Sequence, residues 1–412
     1  MLLKIKLLIE KMRITAITIL TPYKENFRGT SALPYHLMVH RPEDVEIEIY
    51  SFNNNNLPSE KIKEVEKELR VKIHVMPLPA WYRMVFALHL LFIRLFLKYP
   101  IHHYITVPKE YVKRIKEGDP DGIWVYGEEL SKVTNQFKGY RRVHTLPDSE
   151  ALYYHRMMGA RFVVNDLKKY FRCAFMYPKF RHMERDFEIS EEIHYHLVGE
   201  ADAEFLRDMA PGIQAHFIHH PHYEIHHHEE RHFHTPIKLL VAGQYNYYMK
   251  QDADEVVNSL LHLKENDKNL LISNYEITFL GRGWEQHVES LRSDGWNVKQ
   301  ISFAPDYIEE ITKHDVQLAP ISIGTGTKGK VLDALANGLL VVGSHYAMEN
   351  IAVENGRSCV IYRNSAKVIT ILLSIIKDKQ KYEDIAAHGC EVVLSVHSRR
   401  RVSEILFNFF RS

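Results

Sequence analysis

Short apolar runs recur along the whole chain and alternate with stretches of helical periodicity. Such runs predict buried strands, and their alternation with helices is typical of parallel sheets covered by helices. The first series of predicted strands comprises 13–20, 45–51, 72–78, 122–127, 141–146, 194–199 and 215–220. The second series comprises 236–243, 275–281, 296–303, 316–321, 339–344 and 359–363. Two series predict an α/β fold of two doubly wound, Rossmann-like domains that face one another across a cleft.

The chain length agrees with this division into domains. A chain of 412 residues exceeds what one hydrophobic core usually organises. The polar, aperiodic stretch 224–235 separates the two strand series, and we interpret it as the interdomain linker. The predicted segments are an N-terminal extension at 1–12, an N-terminal domain at 13–223, the linker at 224–235, a C-terminal domain at 236–395 and a C-terminal helix at 396–412 that could cross back to the N-terminal domain.

The charge balance and the cysteines indicate which partners and which cellular compartment the protein has. Lys and Arg number 53 and Asp and Glu number 52, so the whole molecule has no electrostatic field that would attract nucleic acid. Any anion site must therefore be local. The three cysteines, Cys173, Cys359 and Cys390, lack metal-ligand spacing and cannot all pair among themselves. That usage favours a reducing, cytoplasmic location over a secreted disulfide framework.

The longest apolar run, AWYRMVFALHLLFIRLFLKY at Ala80–Tyr99, leaves two interpretations open. Its uncharged core between Arg83 and Arg94 is much shorter than the roughly 20 residues that a membrane span requires. The helix predicted at 81–97 could be buried in a domain core. Alternatively, its mixture of basic and aromatic residues could lie in a bilayer interface, which would make the protein peripheral at the cytoplasmic membrane face.

The linker contains a cluster of potential metal ligands. The cluster comprises His226, His227, His228, Glu229, Glu230, His232 and His234. Zinc sites hold their ligands on a frame and orient them with a second layer of partners, which a polar hinge does not provide. We therefore predict a solvated linker and no metal site.

The stretch ISIGTGTKGKVLDALANG at 321–338 combines a glycine-rich, basic turn with a helix predicted to begin near Thr327. It follows a buried strand, and in open α/β sheets ligands bind outside the carboxyl ends of the strands. Backbone N–H groups and the positive end of a helix favour an anion there. The turn does not have the spacing of a Walker loop. Candidate diphosphate ligands are Gly324, Thr325, Gly326, Lys328 and Lys330.

Several motifs around this stretch resemble one enzyme family. HDVQLAP (314–320), LDALANG (332–338) and LLVVGS (339–344) follow the order found in the group 1, family 4-like, retaining glycosyltransferases of the GT-B fold. FLGRG (279–283) and LLVAGQYNYYMK (239–250) are similar to further motifs of that family. The resemblance covers roughly 13–410 and is strongest over 237–363. It implies two Rossmann-like domains, with a sugar nucleotide bound to the C-terminal one.

The resemblance also implies roles for residues of the C-terminal domain. Lys250 matches a diphosphate-binding lysine of the family, whereas Gln244 stands where the family has arginine. Asp333 matches a carboxylate that holds the ribose hydroxyls. Thr325, eight residues before Asp333, occupies the position of the first glutamate of the family's pair, which reaches the donor sugar, so recognition of the sugar is left open. AMEN (347–350) resembles another donor-site loop and supplies Glu349.

Two residues of the N-terminal domain also match family positions. Gly29 lies in NFRGTSALPYHL (26–37), where the family has a glycine loop after its first strand. His144, in RVHTLPD (142–148), matches a histidine near the reacting centre and is a candidate catalytic residue together with Lys250. The alternative for His144 is a strand-end histidine bonded to the backbone.

The resemblance implies a hexosyltransferase that moves a sugar from a nucleoside diphosphate sugar to a saccharide or lipid-linked acceptor with retention, in cell-envelope or surface polysaccharide synthesis. Lysines and a helix dipole would neutralise the departing diphosphate, so no cofactor or metal is expected. Two alternatives remain open: a sugar-nucleotide epimerase of the same architecture, and a catalytically degenerate binding subunit.

Overall fold

The computed structural model describes residues 11–26, 28, 30–159, 167–226 and 232–411. The described chain divides into two compact units. Unit 1 contains the residues up to Pro221 together with the C-terminal segment from Arg399, and unit 2 is His222–Ser398. Much of the predicted N-terminal extension lies outside the described residues, as do 227–231 of the predicted linker.

Unit 1 is built on a parallel sheet of seven strands. In chain order the strands are β1 (Met12–Thr18), β2 (Val45–Ser51), β3 (Lys72–Val75), β4 (Gly122–Tyr126), β5 (Arg141–Leu146), β6 (Ile193–Leu197) and β7 (Ala215–Phe217). Their order across the sheet is β3-β2-β1-β4-β5-β6-β7. This is the Rossmann order, which reverses between β1 and β4.

Unit 2 is built on a parallel sheet of six strands. These are β8 (Ile237–Ala242), β9 (Tyr275–Leu280), β10 (Val298–Ile301), β11 (Val316–Ala319), β12 (Leu340–Gly343) and β13 (Val360–Ile361). Their order is β10-β9-β8-β11-β12-β13, so the strand order reverses between β8 and β11. Every strand predicted from the sequence is therefore present, and the predicted α/β fold with two Rossmann-like sheets is confirmed.

Helices connect the strands of both sheets. Those of the first part of the chain are α1 (Ala32–Val39), α2 (Ser59–Leu69), α3 (Ala80–Ala87), α4 (Lys109–Glu117), α5 (Glu150–Gly159), α6 (Leu167–Arg185) and α7 (Glu200–Met209). Those of unit 2 are α8 (Lys250–Leu261), α9 (Glu265–Asn274), α10 (Glu285–Ser293), α11 (Tyr307–Ile311), α12 (Gly329–Ala336), α13 (His345–Met348), α14 (Lys367–Lys377) and α15 (Lys379–Val396). The last helix, α16 (Arg399–Asn408), belongs to unit 1.

Each sheet is covered on both faces, as its apolar pattern requires. Leu239 and Val241 of β8 belong to one hydrophobic core, whereas Leu240 and Ala242 belong to a second. Successive side chains of a strand point to opposite faces, so these two cores lie on opposite sides of the sheet. Buried strands with apolar residues on both faces read as continuous apolar runs, which is why they are visible in the sequence.

The segment 80–99 differs from its prediction. The expected helix at 81–97 ends at Ala87, His89 has a positive φ of 53°, and a short 3-10 helix follows at Leu91–Leu95. Val85 is the only buried residue of α3. The interpretation as a buried core helix is therefore wrong. A residue in the left-handed region interrupts an α-helix, and most of the apolar side chains have no core to enter.

The described residues form neither a membrane-spanning helix nor a metal-binding cluster. Among them, no helix is long and apolar enough to cross a membrane. Within the same ranges, no group of three or more His, Cys, Asp or Glu side chains is arranged to hold a metal ion. His227, His228, Glu229 and Glu230 of the histidine-rich cluster lie outside the described residues.

Candidate active site

The candidate site lies at the carboxyl edge of the sheet of unit 2, where β8 and β11 are neighbours. At this reversal of strand order, the connections that follow the two strands run to opposite faces of the sheet. They leave a crevice between them in which ligands of such folds bind. The loop after β8 runs from Gly243 to Met249, and the loop after β11 runs from Pro320 to Lys328. These two loops contain or adjoin most of the residues that the sequence singled out.

The loop after β8 is fixed by a close backbone approach. The N–H of Gly243 donates to the carbonyl of Leu280 at 2.9 Å, and the N–H of Tyr245 donates to the carbonyl of Arg282 at 2.9 Å. Gly281 has a φ of +143°, and a Cβ built on it would lie 2.1 Å from the carbonyl oxygen of Gly243. Only glycine fits this contact, which explains the glycine of the FLGRG motif.

Lys250 and Gln244 flank this loop. Lys250 is the first residue of α8, and its backbone N–H donates to the carbonyl of Asn246 at 2.8 Å. Both side chains are exposed, and neither has a hydrogen-bond partner among the described residues. A solvated ammonium at the start of a helix adds to the positive end of the helix dipole. Lys250 is therefore available to an anion at the switch point.

The loop after β11 is bonded directly to the start of α8. The N–H of Ser322 donates to the carbonyl of Tyr248 at 2.7 Å. The Oγ of Ser322 accepts from the N–H of Asp252 at 2.9 Å. Because these bonds join the two loops, the position of Lys250 is fixed relative to the glycine-rich turn.

Lys328 is turned back into its own loop. Its Nζ donates to the carbonyl of Thr325 at 2.7 Å and to that of Gly326 at 3.1 Å. Gly326 has a φ of 60°, and its carbonyl also accepts from Nδ2 of Asn350 at 2.8 Å. The Lys328 ammonium therefore stabilises the conformation of the turn through hydrogen bonds to two of its backbone carbonyls.

The helix that follows starts later than predicted. Lys328 is the residue before it, with φ −83° and ψ 90°, and α12 begins at Gly329 rather than near Thr327. The reason is that the bonds of the Lys328 ammonium hold the preceding residues in an open turn. The amino end of α12 lies at the edge of the sheet, where its N–H groups and dipole favour negative charge.

Lys330 and Tyr307 form a second contact beside this turn. The Nζ of Lys330 lies 4.1 Å from the centroid of the Tyr307 ring, a cation–π distance. Lys330 is exposed as a whole residue, but partial desolvation of its ammonium beside the Tyr307 ring lowers its pKa, and the Asp333 charge opposes that effect. The hydroxyl of Tyr307 is buried and has no hydrogen-bond partner among the described residues.

Asp333 is buried in α12, with 7% of its surface exposed, and is therefore not a solvated helix residue. Burial raises its pKa to about 7, although Lys330 and a hydrogen bond from the peptide N–H of Tyr223 act in the opposite direction. Asn337, one turn later, accepts from the N–H of His226 at 2.9 Å and donates to the carbonyl of Glu224 at 3.1 Å. The segment 223–226 therefore lies along α12 and covers the carboxyl group.

A third loop of the same edge follows β12. The Oγ of Ser344 donates to the carbonyl of Ile321 at 2.5 Å, which links the third loop to the loop after β11. Glu349 is half-buried at the end of α13, next to Asn350. The structure thus brings the predicted residues Thr325, Lys328 and Glu349 onto connected loops of one sheet edge.

The two predicted site residues of unit 1, Gly29 and His144, are not placed in an open site by the described structure. Gly29 lies outside the described residues. His144 is fully buried in β5, and its Nε2 is 2.9 Å from the carbonyl oxygen of Gly127. Burial lowers the pKa of His144 to about 4, so the ring is neutral at physiological pH. This is the backbone-bonded, strand-end arrangement that the sequence left as the alternative to a catalytic role.

Sequence reasoning missed an acidic group at the carboxyl edge of the unit 1 sheet. Glu128 follows β4, and Glu150 follows β5. Burial and neighbouring carboxylates raise the pKa of Glu150 to about 8 and that of Glu128 well above its usual range. Glu184 of α6 accepts from the Oγ of Ser149 at 2.6 Å and from the N–H of Ala151 at 2.9 Å. The sequence contains a pattern that could have predicted this group: the acidic runs GEE (127–129) and DSE (148–150) each follow a buried strand.

Comparison with known proteins adds to this geometry. A family model described as "Glycosyl transferase-like" matches residues 254–407. No curated protein sequence matches the chain.

Several solved structures resemble nearly the whole chain. TarM of S. aureus has a TM-score of 0.64 at 10% identity, covering 97% of this chain and 99% of its own. Anabaena HepE in complex with UDP-glucose has a TM-score of 0.59 at 11% identity, covering 97% and 99%. The lipopolysaccharide outer core galactosyltransferase WaaB has a TM-score of 0.58 at 11% identity, also covering 97% and 99%.

Identities this low show the fold alone. The two sheets, each with the Rossmann strand order, agree with these neighbours over both units. The chain therefore has the GT-B fold of these glycosyltransferases, and its residues 254–407 match the glycosyl transferase-like family.

Proposed function

We propose that the protein is a glycosyltransferase that binds a nucleoside diphosphate sugar at the switch point of unit 2. The observation that carries the proposal is that the bonds of Ser322 join the start of α8, where Lys250 lies, to the glycine-rich loop that leads into the amino end of α12. A diphosphate is the ligand that suits this combination, because it accepts hydrogen bonds from backbone N–H groups and is neutralised by an ammonium. HepE, which has the same fold, was crystallised with UDP-glucose.

The chemistry follows from where charge develops. When the bond between the sugar C1 and the diphosphate oxygen breaks, negative charge grows on the leaving group, and fixed positive groups lower the barrier. The acceptor hydroxyl oxygen bonds to C1, and its proton passes to the released diphosphate. Lys250 and the α12 dipole supply the neutralisation, so we propose that no metal or other cofactor is required.

We further propose that the enzyme is of the group 1, family 4-like type, transfers a hexose and retains the configuration at C1. The proposed acceptor is a saccharide or a lipid-linked saccharide of a cell-envelope or surface polysaccharide. Two similar structures support a saccharide acceptor: WaaB is a lipopolysaccharide outer core galactosyltransferase, and TarM was crystallised with alpha-GlcNAc-glycerol and UDP. The proposed location is the cytoplasm, with peripheral contact at the membrane through Ala80–Tyr99.

A thermal-shift panel of nucleoside diphosphates and their sugars tests the proposal. A ligand that binds only the native state raises the melting temperature by an amount that grows with affinity and concentration. We expect one sugar nucleotide to raise the melting temperature, and turnover with a saccharide acceptor to release the corresponding diphosphate. A panel in which no sugar nucleotide shifts the melting temperature would refute the proposal.

A nucleotide-binding subunit without transferase activity is the second candidate. It is favoured by Thr325, which stands where the resembled family has a donor-binding glutamate, and by the burial of His144. Binding of a sugar nucleotide without diphosphate release, over a panel of acceptors, would support this candidate over the enzyme.

A further inference from the structure

Unit 1 exposes an unusual amount of apolar surface on two elements. Along α3, the 3-10 helix at Leu91–Leu95 and the residues next to them, the exposed apolar side chains include Met84, Phe86, Leu88, Leu91, Phe92, Leu95 and Phe96. At the start of α6, Leu167, Tyr170 and Phe171 are also exposed. Phe96 is 81% exposed and Phe171 is 68% exposed. Single exposed apolar residues are ordinary, but a group of this size marks an interaction site.

The two elements are connected to each other. Lys179 of α6 donates from Nζ to the carbonyl of Leu97. Lys98 and Tyr99 both donate to Oδ2 of Asp186, at 2.6 and 2.8 Å, directly after α6 ends. We call residues 80–99 together with α6 the apolar–basic surface.

The face of α6 continues this surface towards its amino end. Phe171, Phe175 and Lys179 are spaced by four residues and therefore share one face of the helix. The Nζ of Lys179 lies 4.9 Å from the centroid of the Phe175 ring. The exposed Phe171 thus lies on the same face of α6 as Lys179, the residue that donates a hydrogen bond to the carbonyl of Leu97.

Most charged residues of the apolar–basic surface are basic. Residues 80–99 contain three basic residues, Arg83, Arg94 and Lys98, and no acidic one. Helix α6 contains six basic residues and one acidic residue, Glu184, which is buried. The whole chain is nearly balanced, with 53 basic and 52 acidic residues. Lys98 is paired with Asp186 and Lys179 is buried, so the positive charge beside the exposed apolar side chains comes from other basic residues. Among these, Arg83, Lys168 and Arg172 are exposed.

We propose that the apolar–basic surface docks onto a lipid bilayer that contains anionic lipids. Aromatic and aliphatic side chains enter the boundary between headgroups and acyl chains, and Lys and Arg meet the lipid phosphates. The proposal extends the peripheral contact proposed above from 80–99 to the amino-terminal half of α6. The proposed partner is the anionic surface of such a bilayer.

A bilayer fits this surface better than a second copy of the chain. A symmetric dimer would place two positive surfaces against each other, which is unfavourable. The exposed side chains project from a short helix, a 3-10 helix and a separate helix. A bilayer interface accommodates such irregular projections, because lipids need no matching shape.

The test is sedimentation of the full-length protein with vesicles of phosphatidylcholine, with and without phosphatidylglycerol. We expect binding only to vesicles that contain phosphatidylglycerol, and weaker binding at higher salt, because salt screens the charge attraction. Phe96→Ser and Phe171→Ser should each lower vesicle affinity by about tenfold. Phe303→Ser, which changes a phenylalanine of unit 2 that is 72% exposed, serves as the matched control.

Several results would overturn the proposal. They are no binding to anionic vesicles at low salt, equal binding to neutral vesicles, and equal affinity of Phe171→Ser and the parent. A parent protein that is dimeric without lipid, and that Phe96→Ser makes monomeric, would assign the surface to a second copy instead. Because the variants lie in unit 1, their melting-temperature response to sugar nucleotides should stay unchanged, so failure here and failure of the proposed transferase can be told apart.

Discussion

Asp333 is a carboxyl group buried in helix α12 with a pKa raised to about 7. A carboxyl whose folded-state pKa lies above its usual 3.8 binds its proton more tightly in the folded state than in the unfolded one. It therefore contributes stability below about pH 4, and that contribution is lost as pH rises to about 7. The difference amounts to roughly 4 kcal/mol.

Asp333→Asn tests this assignment. The amide keeps the shape, and its carbonyl still accepts from the Tyr223 N–H, but it does not ionise. We expect the variant to be more stable than the parent at pH 8, with the difference shrinking towards pH 5. Chemical denaturation at both pH values measures it. A stability difference that is the same at pH 5 and pH 8 would contradict the raised pKa.

At the scale of elements, the contact between the loops after β8 and β9 fixes the site. Gly281→Ala would place a Cβ against the Gly243 carbonyl at 2.1 Å and force a φ of +143° on alanine. We expect a loss of about 2–4 kcal/mol in the free energy of unfolding, since both backbone strain and a steric clash contribute.

Gly356→Ala is the control for this variant. Gly356 also has a positive φ, +79°, but an added Cβ would meet nothing within 4 Å. Its cost should be limited to about 1 kcal/mol of backbone strain. Urea unfolding of both variants compares them. Equal losses would mean that the close approach contributes nothing.

The sequence predicts the strands well and the irregular elements poorly. A strand such as β4 is buried along its whole length, so its continuous apolar run is unambiguous. The run at 80–99 is equally apolar, but its side chains point outward, and periodicity cannot distinguish a surface that meets solvent from one that meets a core. The contacts of α6 and of Asp186, which follows it, with 97–99 join segments far apart in the chain, which no local pattern encodes.

The sequence predicts where the candidate site lies, but it does not predict the hydrogen bonds that the site residues make. The glycine-rich turn after a buried strand identifies the sheet edge, and the family resemblance identifies Lys250. The inward turn of Lys328 depends on the conformation of Gly326, and the cover over Asp333 depends on bonds from Asn337 to the segment 223–226. These are tertiary contacts, so residue type alone did not reveal them.

At the scale of the molecule, helix α16 completes the core of unit 1. Phe407 is fully buried, 5.7 Å from Trp124 between ring centroids, and the Oγ of Ser403 donates to the carbonyl of Leu37 at 2.7 Å. We expect Phe407→Ala to cost about 3–5 kcal/mol, because it leaves a cavity in that core.

Hydrogen exchange locates the effect of this variant. Exchange should accelerate in β1 and β4, which contribute to the same core, and stay unchanged in β8 and β11. Ile405→Ala, on an exposed position of α16, is the control and should have little effect. Acceleration confined to α16 itself would show that the helix is not part of the core of unit 1.

The central claim is that a sugar nucleotide binds the switch-point loops of unit 2 through its diphosphate. Calorimetric titration of the sugar nucleotide that most stabilises the parent, compared among the parent, Lys250→Ala and Lys264→Ala, tests it most directly. Lys264 is an exposed lysine just before α9. We predict that Lys250→Ala weakens binding by about tenfold or more and that Lys264→Ala leaves it unchanged. Unchanged affinity in Lys250→Ala would contradict the claim.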